Sequence, residues 1–412
     1  MSDKLTNKTI TSTKDSVPAP LSPLDSANRL HHIDSLRGFA LFGIFLVNML
    51  AFQYGTFGYE YIYPNLNSTD QASHNIIEFL FQGSFYPIFS ILFGFGATLM
   101  WQRAGQEDRP FYLVFLRRLV LLAMMGTAHL YLIWDGDILL TYAITGFIFV
   151  LFLKCKPKTL LIWAITLVFL NTAPGLLPTD DASTNEASTI LSSIAEQEQV
   201  VLTDGSYLDT VEFRLTSDPF EEVEFGFLIS IINAVTLFIQ TLWLFIVGAI
   251  IAKKRWLHDL KEHKQTLVLL MASGLSVGII LKGVMVYTPT TQLDYIGYIF
   301  GGPVLGIGYI AAFSLLFIKY STSIVFDSFR YVGRMALTNY ISQSIVMTTL
   351  FYGYGFGLLG ELGTTLGIVL VVAIFILQMI LSKWWLIHYR FGPIEWLWRN
   401  GTYMKRHKIR KK

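Results

Sequence analysis

Cysteine is almost absent: Cys155 stands alone in 412 residues, so the chain can form no internal disulfide and no cysteine-based metal site. No metal site is expected. Charge is scarce too, at 15% of residues where a soluble domain carries about a quarter. Residues 1–28 lack any apolar core and are rich in Ser, Thr, Asn, Asp, Lys and Pro. That composition excludes a signal peptide and predicts a disordered cytoplasmic tail. Basic runs further along are accounted for by membrane topology, so no nucleic-acid partner is expected.

What is present is hydrocarbon. Hydrophobic residues make up 53% of the chain, mean hydropathy is +0.50, and long apolar runs recur from about residue 36 to residue 387. The fold class is an all-α polytopic membrane protein, with the lipid bilayer as its first partner. Ten spans are read at about 36–54, 77–100, 113–133, 138–153, 159–176, 226–252, 266–286, 296–318, 335–357 and 363–387. Each is near the ~20 residues that cross a bilayer, except the short fourth. All but two of the 31 Lys and Arg fall in the tail, in alternate loops and at the C-terminal end; the exceptions are Arg214 and Lys282. By the positive-inside rule both termini are cytoplasmic and the span count is even.

Residues 29–176 then form a first five-span half, and 226–387 a second. Between them, 177–225 is an acidic extracytoplasmic cap with twelve Asp or Glu against Arg214, and 188–201 can form a helix within it. Residues 388–412 continue the chain as an interfacial helix and basic cytoplasmic tail; WWLIHYRFGPIEWLWRN puts four Trp there as an anchoring belt.

Polar groups inside spans need a reason. Asp34 and Arg37 share a helix face at the cytoplasmic mouth of span 1 and can pair, although a favourable N-terminal charge and a snorkelling cation explain them as well. Asn48, eleven residues on, is either a binding group or interhelical glue. His74 and Glu78 stand four apart at the outer start of span 2, where a carboxylate can orient an imidazole as a base; exposed loop residues would look the same.

In HLYLIWDGDILL (129–140) the turn accounts for Gly136, and helix capping for Asp137. Neither accounts for His129, on the order of 9 Å deeper along its helix, which needs Asp135 or Asp137 as partner. Asn339, Gln343 and Ser344 make a polar face at the start of span 9, and Lys282 can snorkel towards Asp294 or Tyr287. Asn171, Asn233 and Gln240 read as helix glue. Arg214, a lone cation in the acidic loop, is either an anion site or held by its neighbours.

The chain resembles the YeiB-like family of bacterial inner-membrane proteins of unknown function. The resemblance runs from about residue 29 to 400. It rests on DSLRGFALFGIFLVNM, FSILFGFGATL, HLYLIWDGDILLTYA, DGSYLDTVEFRL, GRMALTNYISQS and FGPIEWLWR. The DxLRG opening is also similar to that of the broader transmembrane acyltransferase superfamily, whose members move acyl groups onto sugars or similar acceptors, some from acetyl-CoA. One branch has a histidine where Asn48 stands. The lysosomal glucosamine N-acetyltransferases look closer, with Asn there and a histidine near the place of His74.

The resemblance implies a bacterial inner-membrane location. It also implies an acyltransferase-like protein taking its group from acetyl-CoA or another acyl-CoA, with no tightly bound cofactor, and passing it to an extracytoplasmic glycan, lipid or small acceptor. The expected base is His129 with Asp135 or Asp137, or His74 with Glu78. Asp34 and Arg37 would shape the donor mouth, with Asn48, Asn339 and Gln343 as further binding groups, and Arg214 would meet the acceptor. The alternatives are a secondary transporter built from two inverted five-span halves and a non-catalytic partner or sensor. The oligomeric state stays open, a homodimer included.

Overall fold

The computed structural model describes residues 30–58, 66–106, 110–176, 181–217, 226–287 and 291–411; the regular elements among them are all helices, apart from one isolated bridge between Tyr389 and Arg410. The N-terminal tail and the acids of 218–224 lie outside the described residues. The helices are α1 His31–Tyr54, α2 Ser68–Leu80, α3 Tyr86–Gln106, α4 Tyr112–Leu132, α5 Leu139–Phe149, α6 Pro157–Thr172, α7 Asp181–Asp204, α8 Tyr207–Thr216, α9 Gly226–Lys253, α10 Lys264–Tyr287, α11 Thr291–Ile296, α12 Gly302–Tyr320, α13 Ile324–Arg334, α14 Ala336–Phe351, α15 Thr364–His388 and α16 Pro393–Tyr403.

Eight helical stretches among the described residues are long and apolar enough to cross a membrane, and the protein is a multi-pass membrane protein. Two shorter helices, Leu139–Phe152 and α14, occupy the places of the predicted fourth and ninth spans. The predicted second span, 77–100, lies within the stretch Ser68–Gln106 and falls across two helices. Helix α2, capped by the Asn67 side chain on the Thr69 and Asp70 amides, is separate from α3. The chain breaks at Gly83, whose φ of +72° suits glycine.

The cap contains the expected helix, longer than read, as α7. Helix α8 follows it through a Ser206–Asp209 capping box. The cap is tied down: Gly353 N–H donates to the Leu202 carbonyl at 2.7 Å and the Tyr207 hydroxyl to the Leu132 carbonyl at 2.8 Å.

Packing crosses the division into halves. Helix α1 lies along α13, α14 and α15, while α9 fits between α3 and α6. Both contacts depend on glycine: a Cβ on Gly38 would strike the Phe329 carbonyl, and one on Gly94 the Phe245 carbonyl. These close approaches bury much of α1 and α9. Helices α10 and α15 keep mostly lipid-type surface.

The C-terminal helix is less a free interfacial anchor than a clamp. Trp385, Trp396 and Trp398 each donate their indole N–H to a backbone carbonyl, of Phe391, His407 and Arg118, while Trp384 stays exposed.

Candidate functional site

The α4–α5 hairpin is inset against α14 and α1, and the helix at the place of the predicted fourth span is short. The Tyr340 hydroxyl of α14 donates to the Gly136 carbonyl at 3.3 Å, and Trp134 is buried against Phe52. Inside this hairpin His129 is sealed from solvent. One ring nitrogen, Nδ1, lies 2.9 Å from Asp137 Oδ1; the other, Nε2, lies 2.9 Å from Ser344 Oγ on α14. The second Asp137 oxygen accepts the Leu140 amide at 2.8 Å, so the carboxylate caps α5 and orients the imidazole at once. Aspartate Nδ1 contact, buried imidazole and hydroxyl at Nε2 form a three-membered relay.

A cavity of about 550 Å³ approaches this relay from the arginine-rich end. Its walls carry Arg37, Arg103, Arg118, Arg255, Arg334 and Arg399 against Asp34 and Glu395, an excess of four positive charges. Asp34 accepts from Arg37 at 3.0 Å. Glu395 is taken up by the Leu337 and Thr338 amides and the Thr338 hydroxyl. Arg118 lies over Trp398, 4.2 Å from the ring centroid. Deeper in, the lining turns apolar and aromatic and ends at Ile138, Leu139, Tyr142 and Tyr340. Ile138 follows Asp137 in the chain, Tyr340 is one helical turn before Ser344, and the Tyr340 ring lies 5.1 Å from the imidazole. The cavity thus reaches the back of the relay. Near the mouth, burial and then the charge of Arg255 hold the His258 imidazole below its ordinary pKa. Among the described residues no three His, Cys, Asp or Glu cluster to hold a metal ion.

The sequence can now be placed. The protein named Uncharacterized protein YxaH of Bacillus subtilis (strain 168) is 38% identical over 400 residues, covering 95% of this chain and 98% of that one. Uncharacterized protein YeiB of Escherichia coli (strain K12) is 27% identical over 388 residues, covering 90% of this chain and 95% of its own. The family described as Protein of unknown function (DUF418) matches residues 251–405. The chain belongs to the YeiB-like family. The DUF418 region takes in Arg255, Arg334, Tyr340, Ser344 and Trp398. The hairpin lies outside that region, and the YxaH match, over 95% of the chain, spans both.

Other residues singled out in this YeiB-like sequence lie elsewhere. Asp135 is not the partner of His129; its carbonyl accepts the Asp137 amide at 2.8 Å and its charge acts on Glu198 of α7. Glu198 is buried and accepts the Thr56 and Phe57 amides at 2.8 Å each. Burial, and next Asp135, push its carboxyl up to about 8. Arg214 lies over the Tyr352 ring at 5.9 Å, above the relay.

Asn48 is half-buried, on the order of 16 Å along α1 from Arg37, and does not line the cavity. His74 and Glu78 ride on α2, which packs on α10 and α15, apart from the hairpin. Asn339 and Gln343 are glue between α14 and α15, bonded to Ser382 at 3.0 Å and to Gln378 at 2.9 Å. Gln240 likewise joins Asn171 at 2.5 Å to Tyr86 at 2.8 Å, as helix glue should. Lys282 does not snorkel: it is fully buried and donates to Met285 Sδ at 3.3 Å.

Sequence reasoning missed Arg103, Arg118, Arg255, Arg334 and Arg399 as a group, because each is explained singly by topology. It also left Ser344 on the glue face. Tyr340 and Ser344 form an i, i+4 pair one residue on from Asn339 and Gln343, and that offset of about 100° around the helix was the signal that separates them.

Proposed function

We propose that this YeiB-like protein is a membrane-embedded acyltransferase, drawing an acyl group from a CoA-type thioester at the arginine-rich end and passing it towards the capped end. One observation carries the reading: an arginine-lined amphipathic cavity ends against a buried Asp137–His129–Ser344 relay. Guanidinium groups suit the phosphates of such a donor by bidentate, charge-assisted bonds, and Trp398 offers a face for its base. The apolar depth suits the pantetheine arm and acyl chain.

Asp137 accepting from Nδ1–H leaves Nε2 as the basic nitrogen, the tautomer a general base requires. Charge asymmetry supports a cytoplasmic arginine-rich end, both termini cytoplasmic and a cap facing outward, in ten spans of a bacterial inner membrane. The acceptor, a glycan, lipid or small molecule, would then meet the cap.

Calorimetry with acetyl-CoA on purified protein tests this. Micromolar binding that weakens in Arg37→Ala but persists in His129→Ala is expected. A folded wild type that binds no acetyl-CoA ends the reading.

Lys282 favours a second reading, proton-coupled transport. It is a buried lysine in an apolar helix, and the carboxylates acting on it are Glu78 and Asp294. Proteoliposomes separate the two: transport requires solute uptake that follows a proton gradient and falls in Lys282→Met.

A further inference from the structure

Serines in the middle of helices usually return their hydroxyl to the carbonyl four residues back. Ser314 and Ser328 do so here at 2.7 and 2.8 Å, and Thr349, on α14 itself, at 2.7 Å. Ser344 does not. Its Oγ stands 3.4 Å from the Tyr340 carbonyl and 2.9 Å from His129 Nε2, so the better acceptor for its proton is the imidazole. Aspartate, histidine and serine then stand in the order that activates a hydroxyl as a nucleophile.

Position along α14 matters as much. Tyr340 closes the donor cavity, Ser344 lies roughly 6 Å further on, and Tyr352, under Arg214, roughly 12 Å beyond Ser344. The relay thus stands between the two ends that donor and acceptor would use. Ser344 is also nearly sealed from solvent, at 1% exposure, so an ester formed there is shielded from hydrolysis.

We infer that Ser344 is the covalent station of the transfer, carrying the acyl group as an oxygen ester between a thioester donor and an acceptor hydroxyl. The inference rests on the acyltransferase reading. In the first half-reaction Ser344 Oγ attacks the thioester carbonyl: the oxygen–carbon bond forms, the carbon–sulfur bond breaks, and the Oγ proton passes through His129 Nε2 to the departing thiolate. In the second, the acceptor hydroxyl attacks the seryl ester. A new oxygen–carbon bond forms, the bond to Oγ breaks, and the acceptor's proton returns through His129 to Ser344. Nothing is oxidised or reduced. Tyr340 has to yield for the thioester to reach Oγ.

A covalent station lets the first half-reaction run backwards without any acceptor, which gives the test. Full-length protein in detergent is incubated with acetyl-CoA and isotopically labelled free CoA, and label appearing in acetyl-CoA is followed. Acid-quenched protein is mapped by mass spectrometry. Expected are label exchange and a single acetyl group on Ser344, with exchange falling roughly 10²-fold or more in Ser344→Ala and His129→Gln. Ser344→Cys should convert the adduct from one released by hydroxylamine only in alkali to one released at neutral pH. The wild-type map needs no variant to fold. Binding of acetyl-CoA with no exchange and no acetyl group on Ser344, or an acetyl group on another residue, overturns the inference and leaves the acyltransferase reading standing. Absence of binding overturns both.

Discussion

Helix α14 carries buried polar side chains on two faces, and the two differ in kind. Asn339 and Gln343 meet Ser382 and Gln378 of α15 through neutral amide and hydroxyl groups, closed on themselves. One residue along, Tyr340 and Ser344 meet Gly136 and His129 of the inset hairpin, where a histidine and a carboxylate can trade protons. Burial is alike on both faces, so burial and polarity alone do not mark function. What marks it is a titratable pair joined to a hydroxyl and backed by a cavity. The glue face satisfies its donors and acceptors and stops there. The relay face has a proton that can go somewhere.

The sharpest way to break this contrast is to remove the imidazole. His129→Gln is expected to lower acetyl-CoA exchange by about 10³-fold while acetyl-CoA still binds, measured by exchange rate and calorimetry. Unchanged exchange would put the relay in the same class as the glue. Next in size is the cavity. Arg334→Gln or Arg37→Gln should weaken acetyl-CoA by roughly 10- to 100-fold, in line with the ~1.5–3 kcal/mol of a hydrogen bond to a charged group. The salt dependence of binding should flatten with each.

The glue face makes the complementary prediction. Gln378→Leu strands the Gln343 amide and should cost about 1–3 kcal/mol of stability in thermal unfolding, with Gln343→Leu added in the double variant recovering most of it. Exchange should not change, and a loss of exchange in the folded double variant would erase the distinction between the faces.

A separate readout, pH dependence of stability, is expected from the cap. Glu198 has a folded carboxyl raised from 4.5 to about 8, so the folded state holds the proton more tightly. Its contribution is full below about pH 4.5 and lost as pH rises through about 8. Melting temperature should therefore decline across that window, and Glu198→Gln should flatten the decline. A wild type whose melting does not depend on pH there would show the cap is indifferent to this carboxyl.

Much of the architecture is legible in the sequence. Hydrophobic length and charge asymmetry are properties of a line, so the all-α membrane class, the apolar runs, the cap helix and the C-terminal helix could be read from residues in order. His129 could be picked out the same way, because an imidazole deep in an apolar run demands a partner whatever the fold. Which partner it takes was not legible. Asp135 and Asp137 are two residues apart, and the choice depends on how an inset turn is rotated by Tyr340 and Trp134, contacts more than two hundred and about eighty residues away in the chain for the hairpin's neighbours on α14 and α1.

The same holds for the rest of the site. Each arginine is an ordinary boundary charge in sequence, and only the convergence of α1, α3, α4, α13, α16 and the segment between α9 and α10 makes six of them one surface. Asn339 and Ser344 look interchangeable on a polar stretch, yet the 100° turn per residue of an α-helix sends one to α15 and the other to His129. Lys282 reads as a snorkelling cation until neighbouring helices enclose it. Composition and periodicity decided the solvent in which this chain folds and where its segments begin. Tertiary packing decided which polar groups meet which, because partner choice depends on helix rotation and long-range approach that a one-dimensional pattern does not contain.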